Sequence, residues 1–177
     1  MRIISGKFKG RKVKYNHLHN VRPTTDRTKE SLFNILDQYF FFDKICALDL
    51  FSGSGNISYE LASRGVKKIT SVEKNIKCVR FISTFSKSLD IKLNIINSNA
   101  FKFLTTTKLK FDLIFADPPY SYPKEELETL VDLIFRKEVL KKNGILTIEH
   151  HKNSIVNDNK YLFDTRTYGT NSLSFFK

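Results

Sequence analysis

The spacing of hydrophobic and polar residues changes near residue 45 and predicts an α/β fold. From that point, short apolar runs recur and are separated by segments long enough for helices. Runs without polar interruption, such as residues 113–116, are typical of strands that are covered on both faces. We therefore predict a mostly parallel sheet with helices on both sides. Its strands are residues 45–50, 68–73, 92–97, 111–117 and 144–149.

The end of the chain breaks the alternation of strands and helices. Residues 160–166 and 171–177 have strand-like patterns and are joined by a short turn sequence without a helix. We expect them to form a hairpin that closes the edge of the sheet.

The first 44 residues form a different region. Residues 2–15 contain two short strand-like pieces broken by Gly6 and Gly10, which predicts a basic β-hairpin. Residues 22–40 then show apolar positions at helical spacing, with Thr24, Thr25 or Asp26 as possible caps. Since 177 residues suffice for one well-packed domain, we divide it into an arm (1–22), a helix (23–44) and a core (45–177).

The formal net charge of +12 is concentrated at the start of the chain. The remaining residues, from 26 on, carry a net charge of only +5. A basic arm with interleaved aromatic residues is typical of a phosphate-contacting surface, although a solvated lysine-rich face has the same composition. The basic residues of the first 25, which contain no acid, are Arg2, Lys7, Lys9, Arg11, Lys12, Lys14 and Arg22.

Several kinds of site and location receive no support from the sequence. Cys46 and Cys78 are far apart, which favours reduced core thiols in a cytoplasmic protein. The pairs His17/His19 and His150/His151 lack partners at metal-ligand spacing, so we expect no metal site and place these histidines at the surface or rim. No apolar run approaches the length of a membrane span, and no exposed apolar helix face requires a second copy, which favours a monomer.

Polar residues follow four of the predicted strands, at the edge where open α/β sheets bind ligands. Asp49 precedes a turn containing Gly53 and Gly55, and an acid after the second strand, Glu73, is typical of ribose binding. We expect Asn97, Asn99 and the backbone of Ala100 to read an adenine edge. Asp112, at the opposite end of its strand, is expected to have a structural role, whereas Glu149 fits either role.

The fourth predicted strand ends in a rigid elbow, Asp117-Pro118-Pro119-Tyr120. Proline fixes its backbone angle and lacks an N–H, so the elbow offers acceptors and no proline donors. The Asp117 carboxylate and the Pro118 carbonyl can accept from one NH₂ group, and Tyr120 offers a ring for stacking. The predicted target is an exocyclic amine on an aromatic ring.

A nicotinamide-dependent dehydrogenase is the first rival, because residues 53–58 begin like a dinucleotide fingerprint. However, the third glycine position holds Ser58, and no acid–base pair suits hydride transfer. A different nucleoside-bearing ligand fits better.

These motifs resemble a known group of enzymes. Residues 49–55 (DLFSGSG), 72–75 (VEKN) and 117–120 (DPPY) are similar to class I S-adenosylmethionine-dependent methyltransferases that act on amino groups. Residues 2–14, 22–36 and 97–104 resemble the ribosomal RNA small-subunit methyltransferase D family. The resemblance implies a Rossmann-like, seven-stranded, mostly parallel sheet with an antiparallel edge strand. It also implies transfer to N2 of one guanine, position 966, in 16S rRNA of an assembling or assembled small subunit.

The resemblance also implies roles for individual residues. The methionine end of the cofactor would lie over Asp49, Phe51, Gly53 and Gly55, its ribose near Glu73 and its adenine near Asn99 and Ala100. Many relatives have an acid where Asn99 stands. Across the open site would lie Arg22, Thr24, Thr25 and Arg27, of which Thr25 can also cap the helix.

Other functions share parts of this pattern. The elbow also suits N6 of adenine or N4 of cytosine, and a version headed by Asn serves glutamine amides in proteins. A non-catalytic RNA-binding module with the same fold is a further alternative. The basic arm argues against the protein substrate, and the intact elbow and glycine loop argue against the non-catalytic module.

Overall fold

The structure, a computed structural model, describes residues 1–13, 26–154 and 159–177. Its centre is a seven-stranded sheet in the order β3-β2-β1-β4-β5-β7-β6. Strands β1 to β5 pair with one another in parallel, as the continuous apolar runs predict. The strands are β1 (Cys46–Leu50), β2 (Lys68–Glu73), β3 (Asn94–Asn97), β4 (Phe111–Ala116), β5 (Leu140–His151), β6 (Leu162–Tyr168) and β7 (Asn171–Phe176).

Apolar side chains cover the sheet on both faces. Along β4, Leu113 and Phe115 pack into one buried cluster, and Ile114 and Ala116 into another on the opposite face. This arrangement explains why the strand shows no alternation of polar and apolar residues. The helices of the described chain are α1 (Asp26–Leu36), α2 (Asn56–Ser63), α3 (Ile76–Ser88), α4 (Ala100–Thr106), α5 (Lys124–Arg136) and a short 3₁₀ helix (Phe42–Lys44).

The predicted closing hairpin is present. β7 runs antiparallel to both β5 and β6 and lies between them. The antiparallel strand is therefore one position inside the edge, and β6 is the edge strand. This insertion brings the first residue of β7, Asn171, beside His151 at the end of β5.

Some element bounds differ from the predictions. β5 begins at Leu140, which pairs with Phe111, and its register then shifts. Within it, a side chain at Gly144 would lie 2.9 Å from the carbonyl of Asp112, so only glycine fits this close approach. α1 ends at Leu36 because the next turn contains hydrogen bonds that span three residues instead of four. One of them runs from the Gln38 N–H to the Ile35 carbonyl at 3.1 Å.

The described part of the N-terminal arm, residues 1–13, folds back on itself and packs on α2. It forms one antiparallel bridge, between Arg2 and Lys12, instead of two full strands. Ile3 and Val13 are buried against Tyr59 in a third apolar cluster. The arm is thus attached to the core by its apolar residues, while its lysines remain exposed. The three-part division of the chain stays a prediction.

The described ranges 1–13, 26–154 and 159–177 contain neither a candidate membrane span nor a candidate metal-ligand cluster. No helix there combines the length and apolar character needed to cross a bilayer. No group of three or more His, Cys, Asp or Glu side chains there is arranged to hold a metal ion.

Candidate active site

A cavity of about 430 Å³ lies at the carboxyl ends of the parallel strands. Its volume is in the range of small-molecule sites, roughly 300–1,000 Å³. The structure brings together nine of the residues singled out in the sequence, from loops that follow four different strands: Phe51, Gly53, Glu73, Asn99, Ala100, Asp117, Pro118, Pro119 and Tyr120.

The loop after β1 has an unusual backbone. Phe51, Gly53 and Gly55 all have positive φ, at 59°, 53° and 81°. This conformation suits glycine and is costly for a bulky residue such as Phe51. At Gly55, an added side-chain carbon would also lie 2.8 Å from the ring of Tyr59. The loop therefore turns sharply and opens directly into α2.

Glu73 joins two of the cavity-lining loops. One oxygen of its carboxylate accepts from the Gly53 N–H at 2.8 Å, and the other accepts from the Asn75 N–H at 2.7 Å. Glu73 is buried at the end of β2. Because each carboxylate oxygen can accept more than one hydrogen bond, Glu73 can still receive bonds from a ligand in the cavity.

Asp49 lies buried beneath the same loop, with 2% of its surface exposed. One carboxylate oxygen accepts from the Ser58 hydroxyl at 2.5 Å and from the Ser58 N–H at 3.0 Å. The pKa of the Asp49 carboxyl is raised to about 7. Burial is the main cause, Glu73 adds to the increase, and the two hydrogen bonds from Ser58 partly offset it. Ser58, which stands where a dinucleotide fingerprint has glycine, thus anchors an acid.

Replacing Asp49 by Asn is expected to stabilise the folded chain above neutral pH. Between about pH 4 and pH 7, Asp49 is ionised in the unfolded chain but protonated in the folded one, so stability falls as the pH rises. D49N has no such loss. Its advantage should be small at about pH 4, grow to about pH 7 and then stay constant, on the order of 2–4 kcal/mol.

Urea unfolding of wild type and D49N across this pH range measures the difference. D112N is the matched control, because Asp112 pairs with Lys141 at 2.8 Å and accepts from the Cys46 N–H at 2.8 Å. It should lose stability. A D49N protein that is no more stable than wild type at pH 8 would contradict the burial argument.

The two asparagines after β3 have different environments. Asn97 donates its side-chain NH₂ to the carbonyls of Glu73 and Lys74, both at 2.9 Å, so this group connects neighbouring strand ends. Asn99 caps α4: its side-chain oxygen accepts from the N–H groups of Phe101 and Lys102. Asn99 nevertheless lines the cavity with Ala100, whereas Asn97 does not.

The elbow after β4 borders the cavity on its other side. Asp117 is partly buried, Pro118 is buried and Tyr120 is 41% exposed. The Tyr120 ring meets His151 edge-on at 6.4 Å between centroids. Burial raises the pKa of the Asp117 carboxyl well above its usual range, and the nearby carboxylates of Glu149 and Asp49 raise it further.

Three of the predicted RNA-contacting residues, Arg2, Lys9 and Arg27, line one cavity of about 550 Å³. The exposed residues Lys7, Lys9, Arg11 and Lys12 lie on the arm. Arg2 forms an ion pair with Asp26 at 2.9 Å. Arg27 also lines a second cavity, of about 450 Å³, with Thr28 and the turn between β6 and β7. The predictions for Arg22, Thr24 and Thr25 concern residues outside the described ranges.

Comparison with known proteins identifies the family. A family model described as "Conserved hypothetical protein 95" matches residues 1–177. The ribosomal RNA small subunit methyltransferase D of Buchnera aphidicola subsp. Acyrthosiphon pisum is 36% identical over 152 residues, which are 85% of this chain and 78% of the relative. The protein of that name from Haemophilus influenzae is 30% identical over 184 residues, with coverage of 100% and 93%. The chain belongs to the ribosomal RNA small-subunit methyltransferase D family.

The three-dimensional structure of this methyltransferase D family member is also similar to solved structures. Hypothetical protein TTHA0928 of Thermus thermophilus superposes with a TM-score of 0.87 at 26% identity. The match covers 100% of this chain and 99% of the other. The putative methyltransferase yhhF of Escherichia coli superposes with a TM-score of 0.84 at 28% identity, over 99% of this chain and 96% of the other. Together with the strand order, this likeness confirms the predicted class I methyltransferase fold.

Two structural features of this methyltransferase D family member were not predicted from the sequence. Tyr122 packs edge-on against Phe51 and stacks on Phe101, with centroids 5.9 and 6.4 Å apart. Because Phe51 lines the cavity, these contacts connect the cavity-lining loop after β1 with α4 through Tyr122. The sequence positions of these aromatic residues could have indicated the contact, because Tyr122 follows the elbow by two residues and Phe101 follows Ala100 directly.

The second missed feature is a buried ion pair that attaches the arm. Lys29 of α1 and Glu60 of α2 are completely buried, 3.5 Å apart. Lys29 also donates to the Arg2 carbonyl and to the Asn56 side chain. Glu60 accepts from the N–H groups of Ile4 and Ser5, and Arg64 pairs with it at 3.0 Å.

One histidine prediction is wrong. His150 is buried in β5 instead of lying at the surface or rim, and its Nε2 lies 2.8 Å from the Ser174 hydroxyl on β7. The insertion of β7 beside β5 covers it. The prediction that Asp112 is structural is supported by its contacts with Lys141 and Cys46. Cys46 and Cys78 are free thiols, of which only Cys78 is fully buried.

Proposed function

We propose that this protein transfers a methyl group from S-adenosylmethionine to N2 of one guanine in 16S rRNA. The observation that carries the proposal is the Asp117–Tyr120 elbow, which borders a cavity lined by Glu73 and the Gly53 loop. A carboxylate and a proline carbonyl at the mouth of a nucleoside-sized cavity suit an amine acceptor beside a nucleoside cofactor. Family membership adds the rRNA substrate, which the relatives' names give.

S-adenosylmethionine is the cofactor of this enzyme. The residues present fit it, because Asp49, Glu73 and Asp117 lie close together: the Glu73 charge contributes to the raised pKa of Asp49, and the Asp49 charge contributes to that of Asp117. A ligand with cationic groups relieves that crowding, and ribose hydroxyls can donate to Glu73. Asn99 and Ala100 would hold the adenine, and Asp49 with the loop from Phe51 to Gly55 would hold the methionine end.

The cofactor supplies an activated methyl group on a sulfonium, whose thioether is a good leaving group. The residues of the chain then have to position the acceptor. Asp117 and the Pro118 carbonyl accept hydrogen bonds from the two N–H groups of the amine. These hydrogen bonds hold the amine nitrogen pyramidal, with its lone pair directed at the methyl group. Positioning of this kind supplies most of the catalysis. Asp117 is placed to take the proton that the methylated amine releases.

The target base has to leave its stack to reach the elbow. Tyr120 offers an exposed ring at the rim of the cavity, and a purine can stack on it. The exposed lysines of the arm and Arg27, which lines one cavity with Lys9, supply phosphate contacts. The monomeric state and the cytoplasmic location expected from the sequence stay predictions.

Transfer to N6 of adenine is the second candidate, because the elbow contacts an amine and does not by itself distinguish bases. A non-catalytic RNA-binding module would have no reason to keep a strained Phe51 backbone and buried carboxylates at a cavity. The basic arm disfavours glutamine amides of proteins as the substrate.

Methyl transfer from labelled S-adenosylmethionine to small ribosomal subunits that lack the modification tests the proposal. After nuclease digestion, the label is expected in N2-methylguanosine. Label in N6-methyladenosine would overturn the guanine assignment and keep the mechanism. Cofactor binding without labelling of any RNA would reject the RNA substrate and direct the search to protein amides.

The same assay separates two forms of the substrate. The described arm is short, so we propose that the shape of the ribosomal particle contributes to recognition. Small subunits should then be methylated faster than protein-free 16S rRNA at equal concentration. Equal rates on the two substrates would count against a contribution from the particle.

A further inference from the structure

Glu149 lies beside Asp117 at the end of the neighbouring strand. In the register of β4 and β5, Ala116 pairs with Ile148, so the next residues along both strands are Asp117 and Glu149. Side chains alternate between faces, which directs both carboxyls to the face that packs on α1. Glu149 is buried, with 1% of its surface exposed.

The inserted strand β7 holds Glu149 from the other side. The side-chain NH₂ of Asn171 donates to Oε1 of Glu149 at 2.7 Å. Asn171 in turn lines the cavity that contains Arg27. The predicted function uses Asp117 and leaves this buried neighbour without a role.

We propose that Glu149 is a positioning residue that acts through Asp117, and that the two carboxyls together take up the proton released by the methylated amine. The proposal rests on the proposed function of the elbow. It adds a second carboxyl that keeps Asp117 basic enough to receive a proton at neutral pH.

The step balances in atoms and charge. The amine nitrogen uses its lone pair to form a bond to the methyl carbon while the carbon–sulfur bond breaks, and that bonding pair stays on sulfur. The nitrogen, now cationic, passes one proton to Asp117. The sulfur loses one positive charge and the carboxyl pair gains one proton, so the net charge of the buried site is unchanged.

Two carboxyls side by side, Glu149 buried and Asp117 partly buried, resist simultaneous ionisation, because each negative charge disfavours the other. They titrate as a pair, with one proton held above the ordinary carboxyl range. The raised pKa of Asp117, caused first by burial and then by Glu149 and Asp49, agrees with this. Other titratable or charged groups around the pair, from each element nearby, are Glu73, Tyr120, His150, His151 and Arg27.

The first test is the pH dependence of single-turnover methyl transfer. In wild type, the rate should rise with pH as Asp117 ionises. E149Q keeps the size of the side chain and an oxygen for Asn171 but removes the charge, so the rise should move to lower pH by about one unit. D112N, at the opposite end of the sheet, should leave the rise in place. An unchanged rise in a folded E149Q would overturn the proposal.

The second test does not need turnover. Carbon-13 NMR of carboxyl-labelled, cofactor-free enzyme should show, besides the raised step of Asp49, one carboxyl step of the Asp117–Glu149 pair above the ordinary range in wild type. That step should disappear in D117N and move to lower pH in E149Q. A wild-type spectrum in which the D117N-sensitive signal titrates in the ordinary range overturns the proposal, even if E149Q does not fold. Absence of RNA methylation by wild type would instead reject the proposed function.

Discussion

Replacing Asp117 by Ala is expected to reduce methyl transfer by about 10³-fold or more while the cofactor still binds within a few-fold of its wild-type affinity. The variant loses an acceptor for the amine and the first site for its proton. The cofactor contacts proposed for Glu73, Asn99 and the Gly53 loop lie on other strands and remain in place. This separation of binding from transfer is the signature of a group that acts on the acceptor.

Calorimetric titration with S-adenosylmethionine and the labelling assay on small subunits measure the two quantities separately. D112A is the matched control, an acid on the same strand β4 that faces the opposite end of the sheet. It should keep transfer close to wild type. A D117A protein that loses cofactor binding and transfer together would contradict the role assigned to the elbow.

Replacing Lys29 by Ala should lower the free energy of unfolding by about 3–5 kcal/mol, because it leaves the buried charge of Glu60 with fewer partners. It also removes the donor to the Arg2 carbonyl, which attaches the arm. Burial lowers the pKa of the Lys29 ammonium, and the nearby charges of Glu60 and Asp26 offset this only in part. We therefore expect the arm to loosen before the sheet unfolds.

Urea unfolding measures the loss, and hydrogen exchange of the Ile4 and Ser5 amides, which donate to Glu60, reports on the arm. K124A is the control, because Lys124 forms an exposed ion pair with Glu128. It should change stability by less than about 1 kcal/mol. If K29A and K124A were equally mild, the buried pair would not be the attachment of the arm.

The sheet could be predicted because its strands follow the simplest rule of burial. Runs such as residues 113–116 are apolar on both sides, and the structure places their side chains in two clusters. The candidate site followed from the same pattern, since parallel strands bring their carboxyl ends to one edge. Phe51, Glu73 and Asp117 therefore meet although about 20 to 70 residues separate them.

Polar groups inside the protein were harder to predict, because residue type suggests exposure and only a partner overrides it. Lys29 occupies the same helical face as Leu32, Phe33 and Leu36, so its spacing predicts a buried position. Its charge, however, predicts an exposed one. For His150, the information lay in β7, whose position between β5 and β6 depends on strand pairing distant in sequence.

α2 has a consequence for where along an RNA the reaction can occur. Its first residue follows Gly55 of the cofactor loop. Its second half, with Glu60 and Ser63, accepts hydrogen bonds from the backbone of the arm. A helix of eight residues is about 12 Å long and does not stretch. Under the proposed function, α2 acts as a spacer of fixed length between the phosphates that the arm contacts and the base that is methylated. Selection of the target nucleotide is then a matter of measured distance along the RNA as well as of base identity.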